Sequence, residues 1–352
     1  MRSSLGREIA NVKTVISTDR VAAVELLRKG ELVALPTETV YGLAAKALNP
    51  IAAAKIFEAK ERPRFDPLIV HLPSRDWLGR IVDVPAGDRQ LIGKLADKFW
   101  PGPLTIVLPK REIVPDIVTA GSDAVAVRLS AHPVFAEIVG ELDEPLAAPS
   151  ANRFGRVSPT TAQHVLDELD KRIPLIVNAG PAEHGIESTI VAIRDSKIAI
   201  LRRGPITDEQ LSDFADIVSI PETQRISAPG QLSSHYAPTT PLRLIDNSEE
   251  FPQQKDRRVG LLAWHPIPRK GDLQIAERRT GDRRSLKFAV VRNLSDRGDL
   301  REAAANLFRY LRELDALGLD LILAERVPSR GLGAAIMDRL ERASHRWSVH
   351  CN

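Results

Sequence analysis

The chain has 352 residues, 43% of them hydrophobic and 27% charged. That is too long for one ordinary hydrophobic core and too apolar for wholesale disorder, so two domains are expected. No run approaches the ~18 apolar residues of a membrane span, and MRSSLGREIANVK has no apolar stretch behind its charges, which argues against a secretory signal. The single cysteine, Cys351, excludes an intrachain disulfide and a cysteine-built zinc site, and suits a reducing, cytoplasmic compartment.

In chain order, Ser17-Thr18 is expected to open a helix with Val21, Val24 and Leu27 on one face, stopped by Gly30. A strand over ELVALPT (31–37) follows, then a helix capped by Asn49 with Pro50 at its first position. PLIVHL (67–72), LTIVLP (104–109), VAVRLS (125–130), LIVNAG (175–180), STIVAI (188–193) and KIAILR (197–202) read as strands, rich in β-branched residues. Ser158-Pro159 reads as a cap and first-turn proline for a helix over 160–169, and Thr207 with Gln210 as a capping box. This is a mixed α/β domain over 1–216.

Residues 217–240 carry prolines and no apolar periodicity, and read as a linker that could fold over a catalytic cleft. Beyond it, PLRLID (241–246), RVGLLAW (258–264), FAVVRNL (288–294) and DLILAER (320–326) read as strands. A helix with Leu300, Ala304, Leu307, Leu311 and Leu314 on one face ends before Gly318, and a last helix covers 332–344. Residues 241–352 are thus a smaller βαβ-like domain. The whole chain carries a net charge of only +3, too little to demand a nucleic-acid partner. Between Lys255 and Lys287, however, ten Lys/Arg stand against four acids, a solvated loop region or an RNA-facing patch.

No P-loop, no complete G-x-G-x-x-G, no H-E-x-x-H and no G-x-S-x-G occurs. Polar runs at strand ends carry the chemistry instead. LPTETVYGL (35–43) sets three hydroxyls and a carboxylate where a strand stops, a place that favours ligands in α/β sheets. AKERP (59–63) puts Lys60 and Arg62 at a helix end, two cations within reach of one polyanion. FWPGPLT (99–105) is a rigid turn into a strand, APSAN (148–152) offers Ser150 and Asn152, and GIESTI (185–190) and LRRGP (201–205) add Ser188 and Arg202.

Taken together and in this order, PTETVYGL, K-x-RP…PLIVH, WPGPLT, APSAN and ESTI resemble the YrdC-type threonylcarbamoyl-AMP synthase family in its long, two-domain form. The resemblance implies a YrdC-like mixed α/β catalytic domain with a smaller C-terminal Rossmann-like βαβ domain. It implies an enzyme that joins L-threonine, bicarbonate and ATP into threonylcarbamoyl-adenylate with release of pyrophosphate, for threonylcarbamoyladenosine formation in tRNA. By the same resemblance, ATP would meet Lys60, Arg62, Ser150, Asn152, Ser158, Arg202 and Tyr236, and L-threonine would meet Thr37, His71, Arg128 and Ser188. No covalent nucleophile is implied, and Mg2+ is expected with the phosphates although the sequence shows no acidic cage for it. Partners would be the proteins that transfer the threonylcarbamoyl group to tRNA, with direct tRNA contact left open and no membrane involved. The alternative from another class is a non-catalytic double-stranded RNA- or tRNA-binding protein. Two positions depart from the family pattern. Asp66 stands where many relatives have Asn, unfavourable beside a triphosphate unless Arg64 pairs with it, and Arg203 leaves open which of Arg202 and Arg203 faces ATP.

Overall fold

The computed structural model describes residues 13–218, 236–252, 257–264 and 288–348. The chain folds as two compact units, one of 1–154 with 158–232, the other of 155–157 with 233–352. The mixed α/β architecture expected from the sequence is observed.

The first unit begins β1 (Val15–Ser17), α1 (Arg20–Arg28), β2 (Val33–Leu35), β3 (Gly42–Lys46), α2 (Pro50–Lys60) and β4 (Ile69–His71). It continues α3 (Leu78–Ile81), α4 (Arg89–Phe99), β5 (Leu104–Pro109), α5 (Asp116–Thr119), β6 (Ala124–Arg128) and α6 (Pro133–Leu142). It ends β7 (Leu146–Ala147), α7 (Ala162–Leu169), β8 (Leu175–Val177), β9 (Thr189–Arg194), β10 (Lys197–Arg202), α8 (Asp208–Ser212) and β11 (Ile217–Val218). Among the described residues these strands form one mixed sheet, ordered β1-β8-β2-β3-β7-β4-β6-β5-β9-β10-β11.

Two sequence readings shift. The α1 cap is Asp19, whose side chain accepts from the Ala22 N–H, and Val21 is exposed rather than on the buried face. Helix α7 is capped by Thr161, not by Ser158. The Asn49–Pro50 start and the Thr207/Gln210 capping box are observed, each satisfying N–H groups that a helix start leaves unpaired.

Period-two alternation divides the sheet residues between its faces. One face packs Ala34, Leu43, Val70, Ile106, Val127 and Ala147 against α2, α4 and α7. On the other, Val33, Leu35, Ala44, Leu146 and Leu175 meet the apolar sides of α1 and α6. Further along that second face, Ile69, Val107, Ala126, Ile190, Ala192 and Ala199 form a cluster of strand residues to which no described helix contributes.

The second unit has β12 (Leu242–Ile245), β13 (Val259–Ala263), β14 (Val290–Asn293), α9 (Leu300–Asp315), β15 (Leu321–Glu325) and α10 (Leu332–Ser348). Its strands are all parallel in the order β12-β15-β13-β14, the geometry expected of βαβ connections. Gly331 has φ +53°, and a Cβ on Gly333 would overlap the Pro328 carbonyl, so this glycine pair serves the turn into α10. Of the expected linker over 217–240, residues 217–218 form β11 and 219–235 lie outside the described residues, as does most of the basic stretch, including all of 265–287.

Candidate active site

Strand register assembles the site. His71 and Arg128 are direct partners across β4 and β6. Ile106 partners Val127 across β5 and β6, so one more step of that antiparallel ladder sets Thr105 opposite Arg128. Thr105 partners Ile190 of β9, whose face Ser188 shares by alternation, and β10 brings Arg202 against Ile190. A polar row of His71, Arg128, Thr105, Ser188 and Arg202 therefore crosses β4, β6, β5, β9 and β10. It lies on the face where the helix-covered cluster gives way to the strand-only one. The Trp100 indole N–H, donating to the Leu104 carbonyl at 2.7 Å, fixes the turn that starts β5.

The turn after β2 supplies the counter-charge. The Thr37 hydroxyl accepts from the Thr39 and Val40 N–H groups and donates to the Val40 carbonyl at 2.6 Å, so this candidate residue shapes the turn. That turn delivers Glu38 to Arg128, N to O 2.5 Å, with both side chains almost fully buried. The Ser130 hydroxyl and the Ala131 N–H also donate to Glu38, and Arg128 donates to Thr39 Oγ1 at 3.1 Å. Burial alone would raise the Glu38 carboxyl, but Arg128, Ser130 and Ala131 more than offset it and bring it to about 2. His71 is buried against Phe135, ring centroids 4.7 Å apart. Burial, then the Arg128 charge, lowers its imidazole to about 3, so it is neutral at pH 7. Two buried atoms of this cluster, Arg128 Nε and His71 Nδ1, have no hydrogen-bond partner among the described residues.

A pH prediction follows from these two groups. Both folded-state values lie below the unfolded ones, so both contribute stability at neutral pH that is lost on acidification. Unfolded His71 takes up its proton below about 6.5, whereas the folded ring resists until about 3. Glu38 adds to the loss between 4.5 and about 2. Urea unfolding is expected to lose about 3–5 kcal/mol between pH 7 and pH 4, and His71→Gln to flatten the part above pH 4.5.

The candidate phosphate cations converge on the end of α2. Lys60 is its last residue, fully buried, and its ammonium donates to the backbone carbonyls of Ser150 and Asn152. Burial, then the Arg62 charge, lowers its pKa well below the ordinary lysine value. Glu61 ends the helix in the left-handed region at φ 54°, which turns Arg62 inward. Arg62 pairs with Asp66 at 2.9 Å and donates to the Asp66 and Pro67 carbonyls at 3.1 and 2.8 Å. The expected Arg64 pairing is thereby corrected: Arg64 is exposed, and Arg62 is the residue close enough to neutralise Asp66. Ser150 lies half-buried and bridges Gly42, while Asn152 is buried and donates to the Arg153 carbonyl.

Arg202 and Arg203 separate cleanly. Arg202 is buried and donates to the Ser188 carbonyl at 3.1 Å and its hydroxyl at 3.0 Å. That hydroxyl also meets Thr105 Oγ1 at 2.8 Å. Arg203 is exposed and pairs with Asp208 at 2.9 Å. Ser158 is fully buried and donates to Glu187, a partner in place of the helix-capping role read from the sequence. Gly204 lets this arrangement close, since a Cβ there would come within 2.5 Å of the Glu187 carbonyl. Gly204→Ala is accordingly expected to cost at least about 2 kcal/mol and to displace Ser188, measurable by thermal denaturation together with threonine affinity.

Tyr236 belongs to the second unit. Its ring stacks on Phe308 at 5.5 Å and lies under the Arg339 guanidinium at 5.3 Å, buried as a packed side chain. The sequence assigns no site role to Glu38, Ser130, Thr105 or Glu187, and it shows Asp66 only as a departure from the family pattern. Of the first four, Glu38 has a visible signal, as the carboxylate set among the hydroxyls of PTET directly after an apolar strand.

Known proteins share this architecture. The Sua5, YciO and YrdC family model, described as "Telomere recombination", matches residues 25–204. A protein of Pyrococcus abyssi named threonylcarbamoyl-AMP synthase is 36% identical over 351 residues, covering 96% of this chain and 97% of its own. The chain belongs to this family. A second model, described as "Threonylcarbamoyl-AMP synthase, C-terminal domain", matches residues 206–345. The threonylcarbamoyl-AMP synthase of Bacillus subtilis is 38% identical, covering 92% of each chain. The solved structure of Pyrococcus abyssi Sua5 complexed with L-threonine superposes with a TM-score of 0.79 at 34% identity, covering 95% of this chain and 98% of that one.

Proposed function

We propose that the chain is a threonylcarbamoyl-AMP synthase, making threonylcarbamoyl-adenylate and pyrophosphate from L-threonine, bicarbonate or CO2, and ATP. The observation that carries the reading is a pair of buried atoms on neighbouring strands that have no hydrogen-bond partner among the described residues, Arg128 Nε and His71 Nδ1, beside a cluster of buried cations. Buried polar atoms without partners are uncommon in folded proteins, and a bound amino acid would supply partners for both.

In this reading Arg128, oriented by Glu38, takes the threonine carboxylate, for which its planar fork is suited. Neutral His71 offers a hydrogen bond without a competing charge, and Ser188 and Thr37 complete the threonine side. The amine attacks CO2 to form a carbamate, the carbamate oxygen attacks the α-phosphorus, and pyrophosphate leaves. In the same reading Lys60, Arg62 and Arg202 neutralise charge on the phosphates, and Ser150, Asn152 and Ser158 hydrogen-bond the nucleotide. Positioning and electrostatic stabilisation are then the protein's whole contribution. Mg2+ is expected to arrive with the triphosphate, since among the described residues no group of three or more His, Cys, Asp or Glu side chains is placed to hold it. The partners remain those the family implies, the proteins that pass the threonylcarbamoyl group to tRNA. Among the described residues no helix is long and apolar enough to cross a membrane.

Pyrophosphate release tests this directly. It is expected to require L-threonine and bicarbonate together, and release from ATP alone at the full rate would contradict the reading.

A further inference from the structure

Buried ion pairs persist where their geometry is good and their remaining polar atoms are satisfied. Asp66, in its pair with Arg62, meets only the first half of that condition. Their charged atoms approach to 2.9 Å with side-chain exposures of 3% and 1%, yet neither carboxylate oxygen of Asp66 makes an aligned hydrogen bond among the described residues. Lys60 and Arg202 act on the same carboxylate, with Arg62 the strongest of the three, while burial pushes the Asp66 carboxyl up against their pull. Asp66 is thus a poorly solvated negative charge set among the cations that face the phosphates.

We propose that Asp66 is a resident counter-anion, holding the charge of Arg62 in the empty protein and yielding it to the phosphates of an incoming nucleoside triphosphate. The inference rests on the reading of Lys60, Arg62 and Arg202 as the phosphate side of the site. A phosphate group brings several oxygens that can align with guanidinium and ammonium donors, where Asp66 offers none that are aligned. Arg62 does not need the carboxylate to keep its place, because it also donates to the backbone carbonyls of Asp66 and Pro67. Those bonds survive substitution of the side chain. Asp66 therefore sets how strongly the site attracts polyanions: removing its charge makes the surroundings of the cations more positive by one. The device weakens ATP binding.

The test compares the full chain with Asp66→Asn, which keeps the shape and removes the charge. Affinities for α,β-methylene-ATP, inorganic pyrophosphate and L-threonine are measured by calorimetry, and melting temperatures with and without each. The variant is expected to bind the nucleotide and pyrophosphate about tenfold more tightly, by the charge removed at close range, with threonine affinity unchanged. Its ligand-free melting temperature falls, and the rise on adding nucleotide is larger than in the parent. A merely structural pair would lower the melting temperature equally with and without nucleotide, and that result overturns the proposal. So does nucleotide affinity that is unchanged or weaker in the variant. If the parent chain binds neither nucleotide nor pyrophosphate, the functional reading falls and this inference falls with it; if the parent binds and the variant gains nothing, only this inference falls. Should Asp66→Asn not fold, Asp66→Ser is read by the same measurements.

Discussion

Lys60→Met is expected to lower kcat/KM for ATP by about 10²–10³-fold, equivalent to about 3–4 kcal/mol. The substitution keeps the apolar stem of a fully buried side chain and deletes its ammonium. Two effects then act together. The backbone carbonyls of Ser150 and Asn152 lose their buried donor, which loosens the segment that carries both candidate nucleotide contacts, and one of the three cations proposed to face the phosphates disappears. Some loss of thermal stability is expected for the first reason, so pyrophosphate release must be measured below the transition. Arg203→Ala is the control. Its partner Asp208 and itself are substantially exposed, and such pairs contribute about 0–1 kcal/mol. Near-parental turnover in Lys60→Met would refute the phosphate assignment.

Arg128→Ala is expected to raise KM for L-threonine at least about 100-fold while changing ATP affinity little, and to destabilise the protein by about 3–5 kcal/mol. The stability loss arises because Glu38 stays buried with its strongest opposing charge gone. Adding Glu38→Gln removes that stranded charge. The double variant should therefore recover part of the stability and none of the threonine affinity, two readouts that separate the folding role of the pair from its binding role. Equal losses for ATP and threonine would place Arg128 elsewhere in the site.

Elements whose ends are fixed by local chemistry were legible in the sequence. The bounds of β5 and β10, LTIVLP and KIAILR, agree with the structure, as do the Asn49–Pro50 start and the Thr207 capping box. What was lost depended on distant partners. Ser158 reads as a cap because Ser-Pro before a helical pattern is a start signal, but the Tyr41 N–H bonds the Pro159 carbonyl and Glu187 takes the hydroxyl. The chain stays non-helical until Thr161. Strand β3, GLAAK, has no β-branched or aromatic residue, and β7 is only two residues long, so neither carries a strand signature in the sequence.

The site shows the same division. Residue types suited to phosphate and carboxylate, Lys60, Arg62, Arg128 and Arg202, stand out in the sequence. The pairing with their counter-charges does not. Glu38 lies 90 positions from Arg128, and only the register of β4 with β6 and the turn after β2 bring the cluster together. Asp66 is close in sequence to Arg62, yet its pairing with that residue rather than with Arg64 was decided by the left-handed turn at Glu61. Tyr236, read from the linker motif, is held in the second unit by ring packing that no local pattern announces.

Mass-spectrometric analysis of the full chain incubated with ATP, L-threonine and bicarbonate tests the central claim most directly. The account predicts threonylcarbamoyl-adenylate, formed with one pyrophosphate per molecule, absent when any one substrate is omitted and strongly reduced in Lys60→Met and Arg128→Ala. A folded chain that binds all three substrates yet yields no such adenylate, or yields it undiminished in both variants, would contradict it.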